Sequence, residues 1–408
     1  MTGPATRADR AGVEGGARPS PEVVALRDPA TIRARCANVL AAADAGRNAH
    51  LSVDRSKLEG CAELVADVTR RRYPALEIPY HSRWRHFEAG GVDRAAELDR
   101  ALAGRDPVDA ALARIDLAIV SVLLDAGAGA RWSYAEREAR ARFARSEGLG
   151  VASFRAFAAG AFSSLSGDPF RADARALAAI DAAELARLFQ AGEANPLVGL
   201  DGRAALLRRL AAAVGDRPST PFAPLLERRG EVAAAEILAV LLERTSAIWP
   251  NGLVLDGVAL GDVWPHPHAG GASAGYVPFH KLSQWLAYSL FEPFERAGHR
   301  VVDRDALTAL PEYRNGGLLL DTGVLALRDP ADAARRHAVG SPVVVEWRAL
   351  TVALVDELAA HVRVRLGRPD LPLACVLEGG TWAAGRETAA KLRGGEPPLA
   401  IDSDGTVF

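Results

Sequence analysis

The hydrophobic and polar positions of this chain follow mainly the helical period. Asp28 and Pro29 open one such run, in which the Asp can cap the helix and Pro fits the first helical position, and Gly46 ends it. A second run, residues 54–73, must end before Pro74 because the residue before a proline avoids the helical region. Further helices are predicted from Pro107 to before Gly127 and at Tyr134–Glu147, Val151–Ser163, Ala174–Phe189, Gly202–Val214, Glu231–Thr245, Phe279–Ala297 and Trp347–Leu366.

Strand signals are few. Short apolar runs predict strands at Gly252–Asp256, Leu318–Leu320, Val343–Glu346 and Leu373–Leu377. Because they do not alternate regularly with helices, the pattern predicts a mostly α fold, not a parallel α/β sheet. We expect a single helical domain with a minor β element over residues 26–408. Residues 1–25 are polar and rich in Gly, Pro and Arg, which predicts a disordered segment.

Composition narrows the classes of function. The 408 residues carry a net charge of −2, which disfavours a general nucleic-acid partner. No apolar run reaches the ~18 residues of a membrane span, and the N-terminus lacks the apolar core of a secretory signal. The three cysteines lie far apart, which favours a reduced, cytoplasmic setting over a disulfide framework. No phosphate-binding or dinucleotide-binding fingerprint is present, so no cofactor is expected.

The segment LPEYRNGGLLLDTGVL, residues 310–325, carries the most informative charges. Glu312, Arg314 and Asp321 lie beside an apolar run and a Gly-Gly pair. Burying an unpaired charge costs several kcal/mol or more, so these groups must be paired or used. Their structural interpretation is an ion pair that positions a turn. Their functional interpretation is a polar pocket.

Two further segments place polar groups in apolar surroundings. Lys281 and Gln284 share one face of a predicted helix beside aromatic residues. A partly buried lysine must pair or lose its proton more readily, although a surface lysine can also extend its ammonium group to water. Glu346 and Arg348 follow an apolar run, where the carboxylate can either cap a helix N-terminus or face the pocket.

Polar and aromatic residues alternate in residues 81–88, HSRWRHFE. Arg83 and Arg85 can bind a phosphate, since guanidinium groups match its oxygens bidentately. Trp84 can stack on a ring or a sugar face, and His81 adds a polar group at the start of the segment. The alternative is an ordinary helix start with surface arginines.

A histidine-containing loop gives a weaker signal for a metal. His266 and His268 form a His-x-His pair, and His280 follows later. Histidine pairs are genuine ligands in many sites. However, no carboxylate stands at a diagnostic spacing such as HExxH, so a proline-stiffened loop is the simpler interpretation.

Five separated motifs, taken together, resemble the Urc/Urg uracil-catabolism family. They are HSRWRHFEAGGVDR (81–94), VPFHKLSQWLAYSLFEP (277–293), LPEYRNGGLLLDTGVL (310–325), EWRALTVALVDEL (346–358) and a tail that begins EGGTWAAGRETAAKLRGG. The resemblance extends from about Leu26 to Phe408. It implies a place in a pathway where a cyclohydrolase-like partner opens the pyrimidine of a uracil nucleotide and urea is eventually released.

A more distant resemblance is to the queuosine-nucleotide N-glycosylase family, which has a helical fold related to DNA glycosylases. Glu312 stands where that family has Asp, and residues 315–317, Asn-Gly-Gly, replace Val-Pro-Gln. These departures imply a different base pocket, so queuosine itself is not implied. The matching positions are His280–Gln284, Pro311–Arg314, Gly323–Leu325 and Glu346–Ala349.

These resemblances lead to the hypothesis of an N-ribosyl hydrolase acting on a uracil-derived nucleotide, such as a ribosylurea phosphate. Glu312 or Asp321 is the predicted catalytic carboxylate, because a carboxylate can stabilise an oxocarbenium-like sugar or activate water. Lys281 or Arg314 is predicted to hold the phosphate or the leaving group's carbonyl, and Tyr313 to contact the substrate. One alternative is a metal-dependent hydrolase of an opened pyrimidine that uses the three histidines. Another is a non-catalytic partner of the cyclohydrolase-like protein.

Overall fold

Helices form most of the fold in the computed structural model, which describes residues 19–125, 127–228, 230–250, 252–271 and 275–402. The predicted mostly α fold is confirmed. The α-helices are α1 Pro21–Arg27, α2 Pro29–Asp44, α3 Leu58–Arg72, α4 Trp84–Phe87, α5 Arg94–Ala101, α6 Pro107–Leu123, α7 Arg145–Ala158, α8 Ala174–Ala179, α9 Ala182–Leu188, α10 Leu200–Val214, α11 Ala223–Glu227, α12 Ala234–Thr245, α13 Lys281–Arg296, α14 Tyr313–Asp321, α15 Pro342–Leu366, α16 Leu373–Val376 and α17 Trp382–Arg393.

The described strands form only two-stranded pairs, so the β element is minor, as predicted. The pairs β1–β10, β2–β3, β5–β6 and β7–β8 are antiparallel, and the pairs β4–β9 and β11–β12 are parallel. The strands are β1 Leu51–Val53, β2 Ser133–Glu136, β3 Ala141–Ala144, β4 Glu231–Ala233, β5 Leu253–Leu255, β6 Val258–Gly261, β7 Val263–Pro265, β8 Tyr276–Pro278, β9 Arg300–Val302, β10 Leu325–Leu327, β11 Arg336–Ala338 and β12 Ala400–Asp402.

Local sequence signals set the starts of several helices. The Asp28 carboxylate accepts the backbone N–H of Ala30 at 2.9 Å, and proline occupies the first position of α2. Asp106 caps α6 in the same way, with Pro107 at its first position. Each carboxylate satisfies an amide that has no partner within its helix, which explains why the sequence alone located these starts.

The core is continuous along the chain, with buried apolar residues from Ile32 to Leu399 in one cluster. Two central helices organise it: α15 packs against α2 and α3, and α13 packs against α6 and α12. Within the described residues, no helix is both long and apolar enough to cross a membrane.

Three predicted strands are wrong, because the segments are helical. Residues 343–346 lie in the first turns of α15, residues 318–320 lie in α14, and residues 373–376 form α16. The β5 segment, by contrast, is a strand within the predicted Gly252–Asp256 run. A short apolar run looks the same in a buried helix and a buried strand, since both are apolar on every side.

The helix predicted at Tyr134–Glu147 is also wrong over most of its length. The hairpin β2–β3 replaces it, and only the end of the segment lies in α7. The buried Glu136 explains the difference, because its carboxylate binds the guanidinium groups of both Arg94 and Arg155. Those partners come from α5 and α7, so a tertiary ion-pair network overrides the local preference. The run Ala174–Phe189 divides into α8 and α9.

Residues 1–18 of the expected disordered segment lie outside the described residues. The last part of that segment is helical, because α1 begins at Pro21 with the Ser20 hydroxyl as its cap. Val23 and Leu26 are fully buried and pack with Leu260 and Val263. The boundary expected at residue 25 therefore lies earlier in the chain.

Candidate functional site

Glu312 and Lys281 stand at the starts of two neighbouring helices. Glu312 is the N-cap of α14, and its two carboxylate oxygens accept the backbone N–H groups of Arg314 and Asn315 at 2.8 and 2.7 Å. Lys281 is the first residue of α13. The helix starts are joined by the buried Gln284 side chain, which exchanges hydrogen bonds with Thr308 ahead of α14.

A buried ion pair fixes the turn that delivers Lys281. The Asp262 carboxylate binds Arg348 through both oxygens, at 2.8 and 2.7 Å, and also accepts the backbone N–H of Lys281 at 3.0 Å. The Arg348 guanidinium lies 4.2 Å from the ring centre of Phe279. His280 adopts φ 47°, a left-handed conformation that is uncommon for a residue with a side chain. The ion pair holds this unfavourable turn in place.

Burial shifts the pKa values of Lys281 and Glu312 in opposite directions. It lowers the pKa of the Lys281 ammonium to about 8, helped by the nearby charge of Arg348. It raises the pKa of the Glu312 carboxyl, although the two backbone N–H donors and the charges of Lys281 and His81 oppose the shift. Lys281 and Glu312 therefore form an electrostatically coupled pair away from bulk water.

Arg314 lies two residues after Glu312 and carries unsatisfied donors. Its side chain is buried, and the centre of its guanidinium lies 4.6 Å from the ring centre of Tyr313 and 5.8 Å from that of Trp382. Its Nε and Nη1 atoms have no hydrogen-bond partner among the described residues, and neither does the buried Oδ1 of Asn315. Buried polar atoms are normally paired, so such a group beside a carboxylate marks a place for a polar ligand.

Glycine makes this arrangement possible. A Cβ added at Gly385 of α17 would lie 2.2 Å from the carbonyl oxygen of Arg314, and one at Gly316 would lie 2.6 Å from the indole of Trp347. Both contacts are shorter than any real Cβ tolerates. The Gly-Gly pair of the 310–325 segment thus serves helix packing as well as the site, since it lets α14 approach α15.

A histidine–carboxylate pair lies on another side of the site. The Nδ1 atom of His81 is 2.8 Å from Oε2 of Glu378, whose other oxygen accepts from Arg72 at 2.8 Å and from the Tyr73 hydroxyl at 3.0 Å. Burial alone would raise the pKa of Glu378, but the hydrogen bond and charge of His81 and the charge of Arg72 lower it to about 2. The carboxylate is therefore ionised throughout the physiological range.

Glu378 belongs to a π-helical segment, Leu377–Thr381, which widens the helix locally. Such segments occur often at functional sites. A Cβ at Gly380 would come within 2.5 Å of the Thr69 hydroxyl and 2.6 Å of the carbonyl of Val65, so only glycine allows α3 to pack here. This close packing brings the end of α3 to Glu378.

An ion pair between Arg83 and Asp125, which follows the end of α6, lies near Lys281. Arg83 is fully buried, with Nη1 3.1 Å from Asp125 and its guanidinium 5.7 Å from the ring centre of Trp285. Asp125 is near enough to Lys281 to oppose the lowering of its pKa. Burial, reinforced by the charge of Arg83, lowers the pKa of His86 to about 3, so this imidazole is neutral.

The structure thus brings one group of the predicted site residues together and adds neighbours that the sequence did not predict. The residues that it gathers are His81, Lys281, Glu312, Tyr313 and Arg314, with Arg83 joined through Asp125.

Other predicted residues lie elsewhere or are engaged in the framework. Asp321 is at the far end of α14, where its oxygens bind Arg393 at 2.6 and 2.9 Å. The Glu346 carboxylate accepts the backbone N–H of Leu51 at 2.6 Å. Trp84 is buried in the core and donates to a backbone carbonyl of α13. These contacts are structural, although the Glu346 carboxylate binds the backbone of β1 and not a helix N-terminus.

Two further predicted residues bind the framework. Gln284 uses both amide atoms on backbone and hydroxyl groups of the framework. The Nη2 atom of Arg85 lies 2.6 Å from Glu292 and 3.0 Å from Glu88, whereas its buried Nε has no hydrogen-bond partner among the described residues. Arg348 serves the site indirectly, through Asp262.

The three histidines considered as metal ligands do not share a ligand set. His266 lies 3.7 Å from Glu346, whereas His268 and His280 are within hydrogen-bond distance of backbone carbonyls, in the second case that of Leu26. Within the described parts of the chain, no group of three or more His, Cys, Asp or Glu side chains is placed to hold a metal ion.

Sequence reasoning did not assign Glu378, Trp382, Asp125 or His86 to the site. Glu378 and Trp382 lie in the tail motif, about three hundred positions after His81 along the chain, and nothing local indicates that they meet. The available signal was a carboxylate directly followed by Gly-Gly in an apolar helix, a pattern that indicates close backbone approach.

Comparison with known proteins agrees with the motifs. Residues 25–408 match the family described as "Protein of unknown function (DUF1688)". "Protein urg3" of Schizosaccharomyces pombe is 39% identical over 402 residues, which cover 95% of this chain and 98% of that protein. "Uracil catabolism protein 4" of Lachancea kluyveri is 36% identical over 409 residues, covering 89% and 93%. The chain therefore belongs to the DUF1688 family, in agreement with its resemblance to the Urc/Urg proteins.

Proposed function

We propose that this protein acts in uracil catabolism as an N-ribosyl hydrolase, which cleaves the N-glycosidic bond of a uracil-derived nucleotide such as ribosylurea phosphate. The name of the Lachancea kluyveri relative supports the pathway. The observation that carries the reaction is the partly buried carboxylate of Glu312, whose pKa responds to the charge of Lys281. Arg314, two residues after Glu312, keeps unsatisfied donors.

Glu312 suits the charge that develops in this reaction. Breaking a glycosidic bond leaves positive charge on the sugar C1′ and ring oxygen, which a nearby carboxylate stabilises. The two backbone N–H groups fix the orientation of the carboxylate, and each oxygen retains a lone pair for the substrate or a water molecule. Partial burial strengthens the electrostatic interaction relative to water.

Lys281 and Arg314 suit the substrate's anionic group. A guanidinium with two free N–H donors matches a phosphate or a urea carbonyl, and a buried ammonium adds a point charge. The rings of Tyr313 and Trp382 hold the Arg314 guanidinium between them, so little conformational freedom remains to be lost on binding. We assign the phosphate and the leaving group's carbonyl to these two cations.

The direct test is incubation of the purified protein with ribosylurea 5-phosphate while urea and ribose 5-phosphate are measured. We expect equimolar release of the two products. Uridine 5′-monophosphate and unphosphorylated ribosylurea serve as controls for the leaving group and for the phosphate. If no urea or ribose phosphate forms from the phosphorylated substrate, the proposal is wrong. Elemental analysis of the same preparation decides the metal-dependent alternative, which requires a stoichiometric metal.

A further inference from the structure

We propose that His81, oriented by Glu378, is the proton donor to the leaving nitrogen in this hydrolysis; the inference rests on the proposed function. The geometry that supports it is the 2.8 Å contact between His81 Nδ1 and Glu378 Oε2. An ionised carboxylate can only accept a hydrogen bond, so Nδ1 carries hydrogen in both charge states of the ring. The second nitrogen, Nε2, is then the atom that gains and loses a proton.

His81 Nε2 is available for this role. It makes no hydrogen bond to any residue that the structure describes. The ring is largely but not completely buried, with 12% of the side chain exposed, and its centre lies 6.1 Å from that of Trp382. His81 is also close enough to Glu312 to lower the pKa of that carboxyl. The Trp382 ring also lies 5.8 Å from the Arg314 guanidinium, so His81 and Arg314 border the same site.

The contacts of Glu378 with other residues hold it against His81. Arg72 and the Tyr73 hydroxyl bind its other oxygen, so the carboxylate cannot rotate away from His81. The π-helical widening at Leu377–Thr381 and the tight packing at Gly380 place it there. The fold thus uses a π-helical segment and a small residue to orient one imidazole.

His81 and Glu312 can divide the reaction between them. The C1′–N bond breaks and its electron pair moves to nitrogen, which takes the proton from Nε2 of the His81 imidazolium. Water then bonds to C1′, and Glu312 accepts the proton that this water loses. Transfer of one proton through solvent from Glu312 to His81 restores both groups, so the step consumes one water molecule and no other reagent.

The charged and titratable groups around His81 come from several elements. Glu378 lies on the π-helical segment, Arg72 on α3, Glu312 on α14 and His86 on α4. His86 is neutral across the working range, so it does not add a second histidine limb to the pH profile.

The test compares two substrates that differ in their need for an acid. Urea is a poor leaving group that needs a proton, whereas nitrophenolate leaves without one. For His81→Gln we expect kcat on ribosylurea 5-phosphate to fall by about 10²–10⁴-fold, the usual contribution of general acid catalysis. Turnover of 4-nitrophenyl riboside 5-phosphate should stay near that of the unsubstituted protein. His361→Gln is the matched control, because His361 also pairs with a carboxylate, Glu59, but on the exposed surface.

The pH dependence of kcat distinguishes a proton donor from a residue that has only a structural role. In the unsubstituted protein, kcat on ribosylurea 5-phosphate should fall at high pH, and no such limb should appear with the nitrophenyl substrate. This comparison needs no variant, so it holds even if His81→Gln fails to fold. Glu378→Gln should lower kcat on ribosylurea 5-phosphate, because the imidazole loses the carboxylate that orients it, and Glu378→Asp should partly restore kcat.

The outcomes separate the two proposals. Equal losses on both substrates in folded His81→Gln, or identical pH limbs on both substrates, would overturn the proton-donor role while leaving the hydrolase function in place. If the unsubstituted protein cleaves neither substrate, the proposed function fails and this inference fails with it.

Discussion

Replacing Glu312 by Gln tests the proposed reaction most directly. The change keeps the size of the side chain but removes its charge. The amide oxygen can still accept one of the two backbone N–H groups of Arg314 and Asn315, whereas the amide NH₂ then faces the other donor. The loss of one N-cap contact should lower the free energy of unfolding by about 1 kcal/mol.

The expected effect on catalysis is larger. A carboxylate about 4 Å from a developing positive charge contributes roughly 4 kcal/mol at the effective dielectric constant of about 20 that suits protein sites. That corresponds to a loss of about 10³-fold in kcat. Burial of Glu312 makes the interaction stronger than it would be in water, so we expect the loss to be at least of this order.

Asp321→Asn is the matched control on the same helix. The Asp321 side chain is only 3% exposed and that of its partner Arg393 is 27% exposed, so removing the charge of this bidentate pair should lower the free energy of unfolding by about 1–3 kcal/mol. Denaturant unfolding and steady-state kinetics on ribosylurea 5-phosphate would be measured for both variants. We expect an activity loss in Glu312→Gln alone, although Asp321→Asn should be destabilised at least as much. Equal activity in the two variants would show that Glu312 does not stabilise the transition state.

Three further perturbations follow from the same contacts. The Lys281 pKa of about 8 lies below its ordinary value of 10.5, so KM for the phosphorylated substrate should rise above pH 8 in the native protein but not in Lys281→Met. Between pH 8 and pH 10.5 the unfolded chain binds more protons than the folded protein, so the contribution of Lys281 to the free energy of unfolding should increase with pH. A difference in unfolding free energy between the native protein and Lys281→Met that stays constant over this range would contradict the argument. Gly385→Ala should lower the unfolding free energy by about 1–3 kcal/mol through overpacking, whereas Gly60→Ala, with open space around it, should raise it by up to about 1 kcal/mol; equal effects on denaturation midpoints would refute the packing argument. Asp262→Asn leaves Arg348 buried without its charge partner and should cost about 3–5 kcal/mol, measured by denaturant unfolding.

The sequence located helix starts well where a polar cap and a proline coincide. Asp28-Pro29 and Asp106-Pro107 both begin helices at the expected positions. It also singled out Glu312, Arg314 and Lys281, because charges in apolar segments demand a partner or a purpose. These inferences need only residues close together in the chain.

Local sequence patterns could not identify ion-pair partners that lie far apart along the chain. Glu136 is buried because two arginines from other helices neutralise it, which turns a predicted helix into a hairpin. Asp321 and Glu312 have similar surroundings in sequence, but only Asp321 meets an arginine from α17. Periodicity records which face of an element is apolar and carries no information about which charge lies opposite.

What the sequence determined by itself is the mostly helical fold, the starts of several helices and the segment that supplies the central charges, since each depends on contacts within a few residues. The tertiary structure alone decided which charges remain available. It pairs His81 with Glu378 across most of the chain and leaves two donors of Arg314 unsatisfied beside Glu312. The physical reason is that desolvation and charge pairing depend on distance in space, which the packing of α3, α14 and α17 sets through small residues such as Gly385.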